Sequence, residues 1–309
     1  MNKPTPESLN ATFAIADHLS FVTGPGGLPV AEIVNAHGKA SISLYGGHVL
    51  SYQPDGHLPV LWRSAKSNYE IGKPIRGGIP VCWPWFGPHP DESKPLHGFV
   101  RTSMWSVLAT EITPDGATRI KLGICSSDTT RAIWEHAFNL QITVTLGAEL
   151  QIELRAENTG DQPFTCTGAL HSYFAIGNIS DIGVAGFDKG TYLDRLIGEE
   201  KTQIGAIKFT GETDRAYLNT TTPAVIEDAN LGRNIIVAKS GSRSTVVWNP
   251  GEAKAKKIAD FGDEEYIKMV CIEPANINFS DIARINIDPV TIAPGQSHSL
   301  AITIRATAV

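Results

Sequence analysis

Basic residues are in short supply: 26 lysines and arginines face 32 aspartates and glutamates over 309 residues, a net charge of −6. A chain with that balance is poorly suited to neutralising a polyanionic backbone, so nucleic acid is not expected as a partner. Cysteine is scarce too. Cys82, Cys125, Cys166 and Cys271 stand far apart, without a CxxC pair or a cysteine–histidine spacing of zinc-finger type, and read as reduced, mostly buried thiols. No run of about 18 apolar residues occurs, and the start of the chain has no apolar stretch behind a basic patch. The expectation is a cytoplasmic protein with no membrane partner. Several chemistries lack their signatures as well. There is no P-loop, no dinucleotide-binding glycine pattern, no HExxH and no nucleophile elbow, and the nine histidines include no pair at ligand spacing. Nucleotide cofactors and a first-row metal centre are therefore without support, and no cofactor is expected.

What the chain does have is alternation with a period of two. Leu140, Ile142, Val144 and Leu146 interleave with Asn139, Gln141, Thr143 and Thr145, and the pattern resumes after Gly147 as Ile152, Leu154 and Ala156 between polar residues. That reads as an antiparallel hairpin. Similar segments lie at Ser41–Tyr45, Arg119–Ile124, Ser244–Trp248 and Ser299–Arg305, with 29 glycines and 19 prolines as punctuation. Helices are expected only at Asp128–Ala137 and in a turn near Asp263–Lys268. No linker, repeat or low-complexity run divides the chain. These features predict an all-β fold, a large antiparallel β-sandwich with few short helices, forming a single domain over residues 1–309.

Three islands break the alternation. From Lys73 to Arg101, six prolines forbid long regular structure while Trp83, Trp85, Phe86 and Phe99 are too apolar for a loose surface loop. A rigid loop of this kind can hold Arg76 and Arg101 still, and paired guanidinium forks suit a phosphate, although isolated arginines also serve in salt bridges. Its aromatic rings fit a sugar face or the core equally. In the second island His171 lies within an apolar strand, where a histidine is either a satisfied core residue or a catalyst. The third, Tyr266 to Asn276, ends an apolar run on Glu273, a carboxylate whose burial needs a structural partner or a task as a base. Asp214 is equally readable as a turn aspartate.

Taken together, the islands resemble the hexose-6-phosphate mutarotases within the aldose-1-epimerase superfamily. The resemblance rests on IRGGIPVCWPWFGP (75–88), HGFVR (97–101), GALHSYF (168–174), TDRAYLN (213–219), VWNPG (247–251) and VCIEPAN (270–276), in family order, and is weakest before about Ala31. It implies a galactose-mutarotase-like sandwich with one cleft, no cofactor and no metal. The matching motif positions imply His171 and Glu273 as the catalytic pair, Arg76 and Arg101 around the substrate phosphate, and His97 and Asp214 lining the sugar site. Val100 stands where an alanine is common, and Leu96 occupies a variable position that could alter substrate contacts. The implied reaction interconverts the α and β anomers of a hexose 6-phosphate, most naturally glucose 6-phosphate. Glu273 would be the base and His171 the acid in ring opening and closure. Two alternatives remain at this point: an epimerase of unphosphorylated hexose, and a non-catalytic carbohydrate-binding protein.

Overall fold

The computed structural model describes residues 5–277 and 289–309. The expected hairpin is there: Phe138–Leu146 pairs antiparallel with Leu150–Asn158, Leu146 opposite Leu150 and Phe138 opposite Asn158. It sits in an eight-stranded antiparallel sheet that runs, in spatial order, through Gly183–Ala185, Ala224–Asp228, Arg233–Ser240, Ser297–Ala308, Leu150–Asn158, Phe138–Leu146, Thr118–Cys125 and Ser106–Ile112. A second sheet runs through Glu199–Thr202, Thr191–Asp194, Thr213–Tyr217, Ser244–Asn249, Met269–Asn276, Gly168–Leu170 and Val81–Cys82, with Tyr173–Ala175 also paired to Met269–Asn276. A four-stranded meander, from Leu19–Thr23 to His48–Pro54, completes the main β structure.

The two large sheets share one apolar core. Ile142, Val144, Ile152 and Ile302 from the first meet Val247, Val270, Ile272 and Phe174 from the second. Alternation explains the first sheet, whose other face is polar: Leu150–Asn158 is strictly buried and exposed in turn until its last residues. The second sheet differs. Every residue of Met269–Asn276 is buried, because the face turned away from the shared core is covered as well. That face carries Tyr173, Leu193, Ala216, Val246, Trp248, Cys271 and Ala275, which form a separate apolar cluster under the loops.

Helices are short. Asp128–Ile133 stops earlier than expected, because Trp134 returns to extended backbone, and the turn near Asp263 is a 3-10 helix at Glu265–Lys268. Two further α-helices among the described residues were not expected from the alternation, Pro6–Phe13 and Gly251–Ala255. None of the described helices is long and apolar enough to cross a membrane.

The segment that brings Arg76 to the second sheet is anchored by His48. Its ring is buried and its Nε2 donates to the Gly77 carbonyl at 2.7 Å. Next to it Gly78 has φ +62, and a Cβ there would lie 2.3 Å from the Val49 carbonyl oxygen, so only glycine lets the two backbones approach. Burial holds the His48 imidazolium down to a pKa of about 4 from 6.5, against the favourable Gly77 contact. The unfolded chain therefore binds a proton in the window that the folded chain refuses, and stability rises with pH across it. His48 should contribute about 3 kcal/mol above pH 6.5 that is lost progressively towards pH 4. Denaturant unfolding at both ends of that window checks this. The His48→Gln variant, which keeps a donor for Gly77, should lose about 3 kcal/mol less than the parent on acidification, and equal losses would remove His48 from the account.

Candidate active site

The covered face of the second sheet is where the islands meet. Antiparallel register places Leu193, Ala216, Val246 and Glu273 in one cross-strand row, and Asp214, Trp248, Cys271 and Tyr173 in the next. Asp214 is thus a strand residue, with its side chain on the cleft face. Glu273 reaches the same face by strand periodicity, two residues after Cys271. His171 reaches it by a break. Gly168–Leu170 and Tyr173–Ala175 are both paired to Met269–Asn276, and between them the Ser172 amide turns back to the Leu170 carbonyl at 2.8 Å. His171 stands at this kink, so the apolar strand expected around it is two short strands with the histidine in the gap.

The proline-rich loop closes the other wall. Trp83, Trp85 and Phe99 belong to the shared core, and Trp83 packs edge-on to Trp134 and Phe138. Phe86 alone of the four rings turns to the cleft, against His97 at 5.0 Å between centroids. Thr167 holds this stretch: its hydroxyl accepts the Phe86 amide at 2.8 Å, and its own amide donates to the Pro84 carbonyl. His97 is fixed from both sides by Gly87, whose amide donates to His97 Nδ1 at 2.9 Å and whose carbonyl accepts the His97 amide at 2.8 Å. With Nδ1 accepting, the neutral ring carries its proton on Nε2. Burial and, next, the Arg101 charge keep His97 well below the ordinary 6.5.

These walls enclose a cavity of about 300 Å³ lined by Arg76, Phe86, His97, His171, Arg195, Asp214, Trp248, Lys254 and Glu273, among others. Small-molecule sites start at roughly that size. On its floor His171 Nδ1 lies 3.4 Å from Glu273 Oε1, with side chains 12% and 1% exposed. The contact is electrostatic and is not aligned as a hydrogen bond. Both His171 Nδ1 and Glu273 Oε2 are buried without a hydrogen-bond partner among the described residues. Burial, and then Arg76 and Arg101, push the His171 imidazolium well below 6.5. Burial, and then Asp214, raise the Glu273 carboxyl well above 4.5, with Arg195 opposing. The first shift disfavours the imidazolium and the second disfavours the carboxylate, so together they favour a proton on the carboxyl over one added to the imidazole. The two forms hold the same number of protons, so moving that proton to His171 requires no exchange with solvent.

The cations of the cleft are all engaged. Arg76 donates from Nε and Nη2 to Asp260 Oδ1 at 3.2 and 3.1 Å and from Nη1 to the Tyr173 hydroxyl at 3.1 Å. Burial works against its charge, but these partners outweigh it and hold the guanidinium more firmly protonated. Arg101 is not among the lining residues. Its Nη2 donates to the Leu96 carbonyl at 2.7 Å, while its Nε is buried with no hydrogen-bond partner. Arg76 therefore faces the cavity directly, and Arg101 stands behind Leu96, which does line it. Val100 is fully buried.

Arg195 and Lys254 were missed in the sequence. Arg195 Nη1 donates to Asp214 Oδ1 at 3.0 Å, and Lys254 Nζ to Glu212 Oε1 at 2.7 Å. Arg195 lies just beyond the strand Thr191–Asp194, where no motif marks it. Lys254 follows the VWNPG motif, and that motif could have pointed to it. Asn249 is buried, donates to the Tyr266 and Met269 carbonyls and accepts the Gly251 amide, so it fixes the start of the short helix bearing Lys254.

A two-sheet antiparallel sandwich with a cleft holding a histidine and a glutamate on one covered face defines the class, a galactose-mutarotase-like fold. A galactose mutarotase-like protein from Clostridium acetobutylicum superposes with a TM-score of 0.75 at 16% identity, over 94% of this chain and 98% of that one. The chain belongs to the aldose 1-epimerase family, whose model matches residues 29–305. A Salmonella typhimurium protein named "Putative glucose-6-phosphate 1-epimerase" is 37% identical over 76% of this chain and 79% of its own length. The crystal structure of a "putative mutarotase (YeaD)" from Salmonella typhimurium superposes with a TM-score of 0.87 at 32% identity, covering 96% of both chains.

The Arg76–Asp260 pair, with side chains 23% and 11% exposed, should be energetically coupled. Asp260→Ala should cost on the order of 1.5–3 kcal/mol in denaturant unfolding, as expected for a charged hydrogen-bond partner. Combined with Arg76→Ala, the loss should fall short of additivity by about 1 kcal/mol. Strict additivity would show that the pair stabilises neither partner.

Proposed function

We propose that this protein is a cytoplasmic hexose-6-phosphate 1-epimerase, acting as one catalytic domain that interconverts the α and β anomers of glucose 6-phosphate. The observation that carries the reading is the convergence of His171, from the gap between two short strands, and Glu273, from Met269–Asn276, at 3.4 Å on the floor of a sugar-sized cavity. The name of the Salmonella typhimurium relative at 37% identity, a glucose-6-phosphate 1-epimerase, supports the phosphorylated substrate.

Anomer exchange requires a proton to leave the anomeric hydroxyl while another reaches the ring oxygen; the ring opens, the C1–C2 bond rotates, and closure reverses both transfers. One bare and one loaded group suffice, and the pair carries the single proton needed. A substrate hydroxyl donating to Glu273 stabilises the carboxylate and sends the shared proton to His171, which then serves the ring oxygen. His97, with its Nε2–H, and Asp214 hold sugar hydroxyls, and Trp248 and Phe86 pack against the apolar faces of the ring. Arg76 and Arg101 favour the phosphate, Arg76 from the cavity wall and Arg101 from behind Leu96.

Exchange between anomers can be followed by saturation transfer in proton NMR. His171→Ala and Glu273→Gln should each slow exchange of glucose 6-phosphate by about a hundredfold or more while unfolding normally. Near-parental exchange in either variant would remove that residue from the mechanism.

The arginines separate this reading from an epimerase of unphosphorylated hexose. Arg76→Ala and Arg101→Ala should each lower kcat/KM for glucose 6-phosphate about tenfold or more, as for loss of a charge-assisted bond, and for glucose much less. Equal losses on both sugars would assign the arginines to structure and favour the unphosphorylated substrate.

A further inference from the structure

The proton-transfer scheme uses an imidazole and a carboxylate but gives no task to the thiol beside them. Cys271 is fully buried on the cleft face of the central strand, one strand repeat before Glu273. A donor atom from each of His171, Cys271 and Glu273 lies within 4.8 Å of the other two. Two of the three residues present unsatisfied atoms: His171 Nδ1 and Glu273 Oε2 are buried with no hydrogen-bond partner, and Glu273 is 1% exposed. Such orphaned groups are costly in a fold unless something else comes to meet them.

Nitrogen, sulfur and oxygen donors together suit zinc, whereas magnesium and calcium take oxygen donors. We propose that His171, Cys271 and Glu273 form an inhibitory zinc site at the base of the cleft, in which the ion occupies the two groups that move protons. Zinc bonds of about 2.0–2.3 Å in a tetrahedron hold their donors roughly 3.3–3.8 Å apart. His171 and Glu273 already stand at 3.4 Å. The Cys271 sulfur, within 4.8 Å of both, would close the remaining gap by side-chain rotation, leaving the fourth position to water. Binding displaces the thiol proton and the proton shared by the pair, and nothing is oxidised. The charges of Arg76, Arg101 and Arg195 act on this floor and oppose any cation held by charge alone. Selection therefore falls on an ion that bonds to sulfur and nitrogen, and magnesium is excluded.

The inhibitory role rests on the proton-transfer reading above; the binding site itself does not. The test uses chelator-treated protein in a Cys125→Ser background, because Cys125 is the exposed thiol. Cobalt(II) and zinc are the probes. Cobalt should give a thiolate-to-metal charge-transfer band that saturates at one ion per chain and is missing from Cys271→Ala. Calorimetry should show one zinc ion bound with micromolar affinity, about a hundredfold or more tighter than magnesium. Zinc should abolish anomer exchange and a chelator should restore it. Cys271→Ala should keep its exchange rate in chelator and need at least about tenfold more zinc for the same inhibition. Absence of the band and of zinc heat at about 1 mM metal would overturn the site, as would zinc binding unchanged by Cys271→Ala. The two readings fail separately. A band without any exchange activity retains the metal site and sinks the epimerase, whereas exchange activity without a band does the reverse.

Discussion

Burying the Glu273 carboxyl is the constraint around which the cleft is built. A charge in a strand covered on both faces loses its water, and the loss is made good only by partners or by holding a proton. The ion-pair contact that Glu273 makes is with His171, at 3.4 Å. Its neighbours on the cleft face are Val246 across the strand pair and Cys271 along the chain, both apolar in behaviour. The result is a carboxyl whose protonated form burial favours. His171 meets the same requirement from the other side. Stacked on Tyr173 at 4.7 Å, it is held in place by ring contact, and its Nδ1 has no hydrogen-bond partner among the described residues.

That arrangement depends on keeping the rest of the cleft still. The loop from Lys73 to Arg101 combines backbone that only glycine tolerates with rings sunk in the core, so its position is set by packing. Trp85 adds a bond from its indole N–H to the Pro95 carbonyl at 2.8 Å. His97 has φ +63, a left-handed conformation unusual for histidine, and the paired Gly87 contacts hold it there. Conformational entropy is thus spent on folding, before any ligand arrives, which is how a site presents polar groups without ordering them again on binding.

How much of this is legible in the sequence follows from which faces are covered. Period-two alternation marks the first sheet because one of its faces is wet, and the hairpin at Phe138–Asn158 has the register that its pattern dictates. Met269–Asn276 is dry on both faces, so no alternation distinguishes its core side from its cleft side, and Glu273 stood out only as a carboxylate ending an apolar run. The division of Trp83, Trp85, Phe86 and Phe99 between core and cleft has no sequence signal, since the rings are chemically alike and the sorting is done by loop geometry. The helix Pro6–Phe13 did carry a signal. Thr5 and Ser8 form a capping box with Pro6 at the first position, and the pattern is overshadowed by the β character of the remainder. Arg195 carried none, because only strand pairing sets it beside Asp214. Motif matching reached the residues that sit in distinctive strings and passed over a cation that does not.

Charge in the cleft is arranged in pairs. Arg76 is bonded to Asp260, Arg195 to Asp214 and Lys254 to Glu212, within a chain whose net charge is −6. A cleft of bare cations would attract any anion and would repel itself in its absence. Pairing removes both effects and leaves guanidinium groups pointed in fixed directions, so that an incoming anion gains from geometry more than from net field. The same pairing bears on proton transfer. Burial raises the Glu273 carboxyl first, and beside it Asp214 and Arg195 act in opposite senses, so the ion pair is a partly compensated dipole next to the carboxyl. Engagement of Asp214 by a sugar hydroxyl would stabilise its negative charge without removing it, and the Arg195 contact keeps that charge from being expressed in full at Glu273. A ligand that engages Asp214 would therefore be felt at Glu273 through an existing ion pair, with no movement of the strands that carry them.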